Sequence, residues 1–244
     1  MTPLKVVAAL ALLLPAVPSA ADAWIRLPAT TFATLPAGTN NPEGIAADPH
    51  GNIYVTTFDV TKAAGPGGGA VTAWVTDALL ATTGVPPFGA NGLAFDTAGT
   101  ALFVCNTGDD TVVQIPVGAG GNPGTPSVFV NSVNGCDGLI IDDHDNLWVA
   151  ANQADEIAVL NPGGRVIAKL GDFNGLDPHG APRGLLFPAS LVRSGPFIHV
   201  TNLSLDLRLF GLPQTVDSQW TAQVRRHTVA KIPARIPPVP GLKK

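Results

Sequence analysis

The chain has 244 residues, a formal net charge of −4 and charged side chains at only 13% of its positions. This balance lacks the dense basic surface that is typical of nucleic-acid-binding proteins, so we exclude nucleic acid as a partner. The 27 glycines and 23 prolines are typical of a chain with many turns, as in proteins built from short β-strands.

Residues 1–23 have the pattern of a secretory signal peptide. Lys5 supplies a positive charge, an apolar run follows at residues 6–14, and residues 21–23 or 19–21 fit the small-residue motif of a cleavage site. An uncleaved membrane anchor is the alternative, but the apolar run is too short to span a bilayer. We therefore expect a periplasmic or secreted mature chain without a membrane span.

From residue 42 onward, four copies of one pattern follow each other at a spacing of about 47 residues. Each copy has a short apolar segment, a polar turn and a second apolar segment with aromatic residues. Turn residues such as Gly51-Asn52 and Asp145-Asn146 supply the backbone freedom that a tight hairpin needs. The pattern predicts four β-hairpins, at residues 42–58, 90–106, 136–152 and 188–202.

Two copies continue in parallel, through residues 106–116 and 152–162, and a fourth apolar segment follows each of them. Four antiparallel strands in a unit of this length are typical of a β-propeller blade. We predict an all-β fold, a β-propeller of four-stranded blades, with room for about four to five blades. A two-sheet sandwich is the alternative, and it explains the hairpins but not the repeat.

The domain predicted from this repeat covers residues 24–236 and includes a closing strand that runs through Ile232. Residues 237–244 form a Pro-rich tail, and residues 76–84 are expected to make one or two helical turns. Four apolar residues share one position in the repeat, and we expect them to be equivalent and buried: Ile45, Leu93, Leu139 and Leu191.

The chain has two cysteines, Cys105 and Cys136. An exported protein can join such a pair in a disulfide. The alternative is two buried thiols that act as small apolar side chains. We favour the second interpretation, because a domain of this size does not need a covalent crosslink.

One column of the repeat is polar where a strand begins. The position before the glycine of each first strand holds Glu43, Asn91, Asp137 and Ala189. In a propeller these positions surround the central channel, so three oxygen-bearing side chains would converge there. Carboxylate and amide oxygens suit Ca²⁺, which binds six to eight oxygen ligands. The alternative is that these side chains cap the strand starts by accepting hydrogen bonds from nearby N–H groups.

The sequences around this column, Pro-Glu-Gly at 42–44, Asn-Gly-Leu at 91–93 and Asp-Gly-Leu at 137–139, resemble the senescence marker protein, gluconolactonase and luciferin-regenerating enzyme family. The resemblance implies a six-bladed propeller with a divalent metal, usually Ca²⁺, in its channel. It also implies that Glu43, Asn91 and Asp137 are metal ligands. Asp137 would in addition act as the general base that activates water for attack on a small lactone or ester.

The chain departs from the family in its length. Glu43 and Asn91 lie one repeat apart, whereas several blades and a further asparagine ligand separate their counterparts in the family. The shortfall falls between Phe58 and Val71. A ring with so few blades would close with wider spacing or stay open as an arc, and an open arc would favour self-association.

Three functions are therefore compared. The first is an exported metal-dependent hydrolase of a small lactone or ester. The second is a non-catalytic propeller with an incomplete metal site that binds a small molecule or a protein, and the third is a metal-free propeller that resembles strictosidine synthase. Neither a Gly-x-Ser-x-Gly nor a His-Glu-x-x-His motif is present, so a serine hydrolase and a zinc protease are unsupported. We interpret His179 as a solvated loop residue and Asn106, Asn152 and Asn202 as turn formers.

Overall fold

The computed structural model describes residues 27–34, 75, 77–212 and 218–237, and the backbone of residues 42–47 and 53–57. The described strands are β1 (Thr30–Thr34), β2 (Pro42–Ala47), β3 (Ile53–Thr57), β4 (Ala90–Phe95), β5 (Ala101–Asn106), β6 (Thr111–Pro116), β7 (Ser127–Val130), β8 (Cys136–Ile141), β9 (Leu147–Ala151), β10 (Glu156–Leu160), β11 (Val166–Leu170), β12 (Phe173–Leu176), β13 (Pro182–Gly184), β14 (Pro188–Ser194), β15 (Phe197–Asn202) and β16 (Thr228–Pro233).

The described helices are short. They comprise four 3₁₀ segments and one α-helical turn, namely Ala78–Leu80, Ala119–Gly121, Asn152–Ala154, Leu207–Phe210 and α1 (Ser218–Thr221). The first of these lies within the predicted helical segment at 76–84. None of the helices in the described ranges has the length and apolar character that a bilayer span requires.

The described strands form three four-stranded antiparallel sheets and two hairpins, as expected for a β-propeller. The β4 blade contains β4 to β7 in order, and the β8 blade contains β8 to β11 in order. The β14 blade has the order β14-β15-β16-β1. Its outermost strand, β1, comes from the start of the described chain and pairs with β16, the last described strand. The hairpins are β2–β3 and β12–β13.

All four predicted hairpins are present in the same register. The equivalent cross-strand pairs are Ile45–Val55, Leu93–Val104, Leu139–Val149 and Leu191–Val200. Three of the turns contain a residue in the left-handed region, where a tight hairpin needs it. These residues are Gly99, Asp145 and Gly195, and the fourth turn, at Gly51-Asn52, lies outside the described residues.

The first strands of the blades pack side by side, in the order β4, β8, β14 and β2. Glycine permits this close approach, because a Cβ on Gly92 would lie 2.5 Å from the carbonyl oxygen of Asp137. A Cβ on Gly138 would lie equally close to the carbonyl oxygen of Ala189. The described parts of β2 and β4 do not have a comparable contact with each other.

Two apolar cores lie between neighbouring blades. One joins the β8 and β14 blades around Ile157, Leu170 and Ile198, and the other joins the β4 and β8 blades around Phe103, Val149 and Leu160. These side chains point inward because residues alternate between the two faces of each strand. Burial of both blade faces explains why the sheets stack.

The expectation of four equivalent buried residues is only partly right. Leu139 and Leu191 are 6% and 4% exposed, as predicted, but Leu93 is 58% exposed. Leu93 is not part of the core between the β4 and β8 blades, against which its neighbour Ala94 packs. The side chain of Ile45 lies outside the described residues.

The interpretation of the cysteines as free thiols is wrong. Cys105 in β5 and Cys136 in β8 form a disulfide, with their Cα atoms 5.3 Å apart. Both residues are fully buried in the core between the β4 and β8 blades. Packing of the blades brings the two strands to the separation that a disulfide requires.

Candidate active site

A cavity of about 290 Å³ opens beside the starts of the first strands. Asn91 at the start of β4 and Asp137 at the start of β8 both line it. The structure therefore brings together two of the three predicted metal ligands. Glu43 is in β2, and its side chain lies outside the described residues. The fourth position of the column, Ala189, is fully buried.

A local irregularity explains how these residues are oriented. In each of the four hairpins the strand register shifts by one residue across the column, between 42 and 45, 90 and 93, 136 and 139, and 188 and 191. Such a β-bulge adds one residue to one strand and changes the direction of its side chains. The shared bulge distinguishes this column from ordinary strand positions.

Asp137 is a buried carboxylate, with 2% of its surface exposed. Its Oδ2 accepts a hydrogen bond of 3.1 Å from Nδ2 of Asn152, which also lines the cavity. Burial of an ionised carboxylate is costly unless polar partners compensate. Asn152 therefore stabilises Asp137 in a fixed position at the end of the cavity.

The sequence predicts a turn former at Asn152, whereas the structure also places its side chain against Asp137 in the cavity. Its equivalents Asn106 and Asn202 do brace the backbone, since Nδ2 of Asn106 donates to Ala81 O at 2.7 Å and Nδ2 of Asn202 donates to Gly184 O at 2.9 Å. The sequence signal that could have identified Asn152 is its copy of the repeat, which is also the copy that contains Asp137.

Asn91 contributes an amide to the same cavity. Its Nδ2 donates a hydrogen bond of 3.2 Å to Oγ1 of Thr107, which is fully buried. With the nitrogen engaged in this way, Oδ1 is the atom that Asn91 can offer to a cation or to a donor group on a ligand.

The remaining wall of the cavity is apolar. Phe88 precedes β4, Phe187 precedes β14, and three residues after β15 complete the wall: Leu203, Leu205 and Phe210. Phe88 and Phe210 meet edge to face, with ring centroids 5.4 Å apart. The site thus has a polar end and an apolar body, which is the usual construction of a small-molecule site.

None of the described histidines lines this cavity. His179 is exposed between β12 and β13, where the sequence predicted a loop and the structure has a short hairpin. His199 is buried in β15, and its pKa is lowered by burial and by the charge of Lys231. Neither residue lines the cavity, so neither is a candidate for catalysis there.

The donors of the cavity fit a hard cation in chemical type, because they are a carboxylate and an amide oxygen. Within the described ranges, no cluster of three or more His, Cys, Asp or Glu residues could hold a metal by itself. A metal at this site would therefore need amide or further oxygen ligands beside Asp137.

A sequence profile described as the SMP-30/gluconolactonase/LRE-like region matches residues 24–171, which is more than half of the chain. The chain belongs to the SMP-30/gluconolactonase/LRE-like family. The profile covers Glu43, Asn91 and Asp137, together with Asn152. The resemblance stated from the motifs of the repeat is thereby confirmed.

Several solved structures are similar to this member of the family. A calcium-binding regucalcin from Agrobacterium tumefaciens has 20% identity and a TM-score of 0.40, over 63% of this chain and 50% of its own. A luciferin-regenerating enzyme has 19% identity and a TM-score of 0.44, over 81% and 63%. A gluconolactonase from Xanthomonas campestris has 14% identity and a TM-score of 0.43, over 82% and 60%.

This chain spans between one half and about two thirds of the length of those three structures. A search of curated proteins found none that matches the chain.

Proposed function

We propose that the protein is an exported hydrolase that opens a small lactone or cleaves a small ester, with Asp137 as the general base and a divalent cation, Ca²⁺, as cofactor. The observation that carries this proposal is the buried carboxylate of Asp137 at the polar end of a ligand-sized cavity, held by Asn152 at 3.1 Å. Membership of a family that includes gluconolactonases supports a lactone as the substrate.

In the proposed reaction, Asp137 accepts a proton from a water molecule as the water oxygen attacks the carbonyl carbon of the substrate. The bond between that carbon and the ester oxygen then breaks, and the proton passes to the departing alkoxide. The product of a lactone is a hydroxy acid. Asn152 keeps the carboxylate in place for this proton transfer.

The cation would be held by Asp137 and Asn91, with Glu43 as the third proposed ligand. When bound, it supplies the polarisation of the carbonyl group that makes attack by water easier. The fit rests on the oxygen donors of Asp137 and Asn91, and the contribution of Glu43 rests on the repeat column alone.

Export is the remaining part of the proposal. It is supported by the signal-peptide pattern of residues 1–23 and by the disulfide between Cys105 and Cys136, since disulfides persist in oxidising compartments. The test is N-terminal sequencing of protein recovered from the periplasm or the medium. Recovery of exported protein that still begins at Met1 would contradict cleavage of the leader.

The decisive experiment compares lactone hydrolysis by the wild type, Asp137→Asn and Asp143→Asn. Asp143 lies in the turn after β8, and its side chain is 91% exposed, so it is a matched control for loss of a carboxylate. We expect Asp137→Asn to lower kcat by about 10²–10⁴-fold without loss of the fold, and Asp143→Asn to stay at the wild-type rate. Equal rates for all three proteins would overturn the assignment of the base.

A chelator arm tests the cation separately. We expect activity to disappear when Ca²⁺ is removed and to return when Ca²⁺ is added back. A wild-type rate that does not respond to the chelator would overturn the metal part of the proposal and would leave the role of Asp137 to the mutational comparison.

A further inference from the structure

The side chains that line the cavity are of two kinds, polar and apolar. Asn152 donates a hydrogen bond to Asp137, and Asn91 lies at the start of the neighbouring strand, so the polar lining side chains are grouped. The other described lining side chains are aromatic or aliphatic. Among the described lining residues, a ligand in this space therefore meets hydrogen-bonding side chains at this group alone. Its body contacts carbon atoms.

The apolar wall is held in a fixed conformation. Phe187 has a positive φ of 47°, which is uncommon for a bulky residue and marks a position that the surrounding structure enforces. Its N–H donates a hydrogen bond of 2.7 Å to Oδ1 of Asp155, and its carbonyl oxygen accepts one of 3.1 Å from Leu203 N. The wall is thus built before a ligand arrives.

Two aromatic rings from different parts of the chain meet at this wall. Phe88 comes from the segment before β4, where its carbonyl oxygen accepts a hydrogen bond of 2.8 Å from Gly108 N. Phe210 comes from the 3₁₀ segment Leu207–Phe210 and remains 45% exposed. Phe210 therefore stands at the rim, where it can contact the far end of a bound ligand.

We propose that this site selects lactones or esters that carry an alkyl or aryl chain, and that it rejects polyhydroxylated sugar lactones. This inference rests on the proposed hydrolase function and names its substrate class. The carbonyl group lies toward Asp137, and the chain lies against Phe187, Leu203, Leu205 and Phe210. Hydroxyl groups of a sugar that lie against this apolar wall would lose their water without hydrogen-bond partners, and such burial is unfavourable.

The volume of the cavity limits the length of the alkyl chain that a substrate can carry. A volume of about 290 Å³ holds roughly ten non-hydrogen atoms, if each occupies about the volume of a water molecule. A five-membered lactone ring with a butyl side chain, as in γ-octalactone, has ten such atoms, so beside the attacking water the end of its butyl group reaches the rim at Phe210. Longer chains would extend past Phe210 into solvent and gain little.

The first test is a series of substrates with the wild-type enzyme: γ-butyrolactone, γ-octalactone and glucono-δ-lactone. We expect kcat/KM to rise by up to about fourfold for each added methylene until the cavity is full. Glucono-δ-lactone should be the poorest substrate of the series. A higher kcat/KM for glucono-δ-lactone than for γ-octalactone would overturn the inference while leaving the hydrolase function intact.

The second test uses Phe210→Ser and its neighbour Leu209→Ser. Leu209 is 78% exposed and does not line the cavity, so it controls for loss of an apolar residue from the same helical turn. We expect Phe210→Ser to raise KM for γ-octalactone but not for γ-butyrolactone, and Leu209→Ser to change neither value. Equal effects of Phe210→Ser on both substrates would contradict the proposed position of the chain.

A binding measurement separates this inference from the proposed function. Calorimetry of γ-octalactone with Asp137→Asn, which retains the apolar wall, reports binding without turnover. If no lactone is hydrolysed by the wild type but γ-octalactone still binds and glucono-δ-lactone does not, the hydrolase function fails and the ligand class stands. If neither lactone binds, the ligand class fails.

Discussion

Asn152 and Asn202 occupy the same position in two copies of the repeat, but they serve different purposes. Nδ2 of Asn152 donates to Asp137, whereas Nδ2 of Asn202 donates to Thr228 Oγ1 in β16 and to Gly184 O in β13. Both side chains are buried. One repeat position thus supplies a positioning residue in one blade and a structural brace in another.

We expect Asn152→Ala to lower kcat by about 10–100-fold with little change in KM, because the base loses the partner that orients it. Asn202→Ala should instead lower the free energy of unfolding by about 1–3 kcal/mol, because buried backbone and hydroxyl groups lose their partner. Steady-state kinetics and denaturant unfolding of both variants check this pair. If Asn152→Ala loses stability but keeps the wild-type kcat, its positioning role is wrong.

The leucines of the repeat provide a second matched pair. Leu139→Ala should cost about 2–5 kcal/mol of stability, since Leu139 is buried in the core between the β4 and β8 blades. Leu93→Ala should cost less than about 0.5 kcal/mol, since Leu93 is 58% exposed. Urea unfolding of both variants measures the difference. A large loss for Leu93→Ala would mean that another surface covers it.

His199 makes the stability depend on pH. Its ring packs against Phe32 with centroids 4.3 Å apart, and its pKa is lowered by burial and by Lys231. The folded protein therefore protonates this ring at a lower pH than the unfolded chain does. The unfolded chain takes up a proton below about pH 6.5, so it binds more protons than the folded chain as the pH falls. The contribution of the neutral His199 ring to the free energy of unfolding is therefore complete above about pH 6.5 and is lost as the pH falls below this value.

We expect the free energy of unfolding to be smaller at about pH 5.5 than at about pH 7.5. His199→Phe keeps an aromatic ring but removes the titration, so its loss over the same range should be smaller. A part of the loss should remain, because burial also lowers the pKa of His227. Denaturant unfolding at both pH values measures this, and an unchanged loss in His199→Phe would refute the assignment.

The sequence predicted the strand hairpins well because their signals are local. Apolar alternation and a turn residue with left-handed geometry, as at Gly99 and Asp145, lie within one hairpin. The column of Asn91 and Asp137 followed from the repeat in the same way. Pairing of β1 with β16 was not predicted, because Thr30 and Lys231 are joined by tertiary contacts across most of the chain.

The disulfide, like the pairing of β1 with β16, depends on long-range packing that a local sequence pattern does not report. Nothing in the spacing of Cys105 and Cys136 reports that β5 and β8 pack together, so the sequence left both redox states open. The bond joins two blades directly beside Asp137. It therefore connects the stability of the blade interface to the geometry of the proposed base.

We expect the double variant Cys105→Ala/Cys136→Ala to lose about 3–4 kcal/mol of stability, because the crosslink restricts the unfolded chain over a separation of 31 residues. Unfolding of the wild type with and without a reductant should show a similar loss, and the double variant should not respond to the reductant. A wild type that is insensitive to reductant under denaturing conditions would contradict the disulfide.

At the scale of the whole molecule, the first strands run from β4 through β8 and β14 to β2, and the described parts of β2 and β4 do not pack side by side. On β4, the side chains of Leu93 and Phe95 point to the same face of the strand and are 58% and 52% exposed. In the next two strands of this sheet, β5 and β6, buried apolar side chains pack against the segment around Leu79. This apolar surface is where a further blade would pack in a larger ring.

We expect the purified protein to self-associate through this surface, because neighbouring exposed apolar side chains favour contact with a second apolar surface. Phe95→Lys should weaken the association by placing a charge at the contact. Leu209→Lys, which changes a residue that is 78% exposed on a different element, should not. Analytical ultracentrifugation over a range of concentrations measures the mass of all three proteins, and a wild type that stays monomeric at every concentration would refute an open, associating ring.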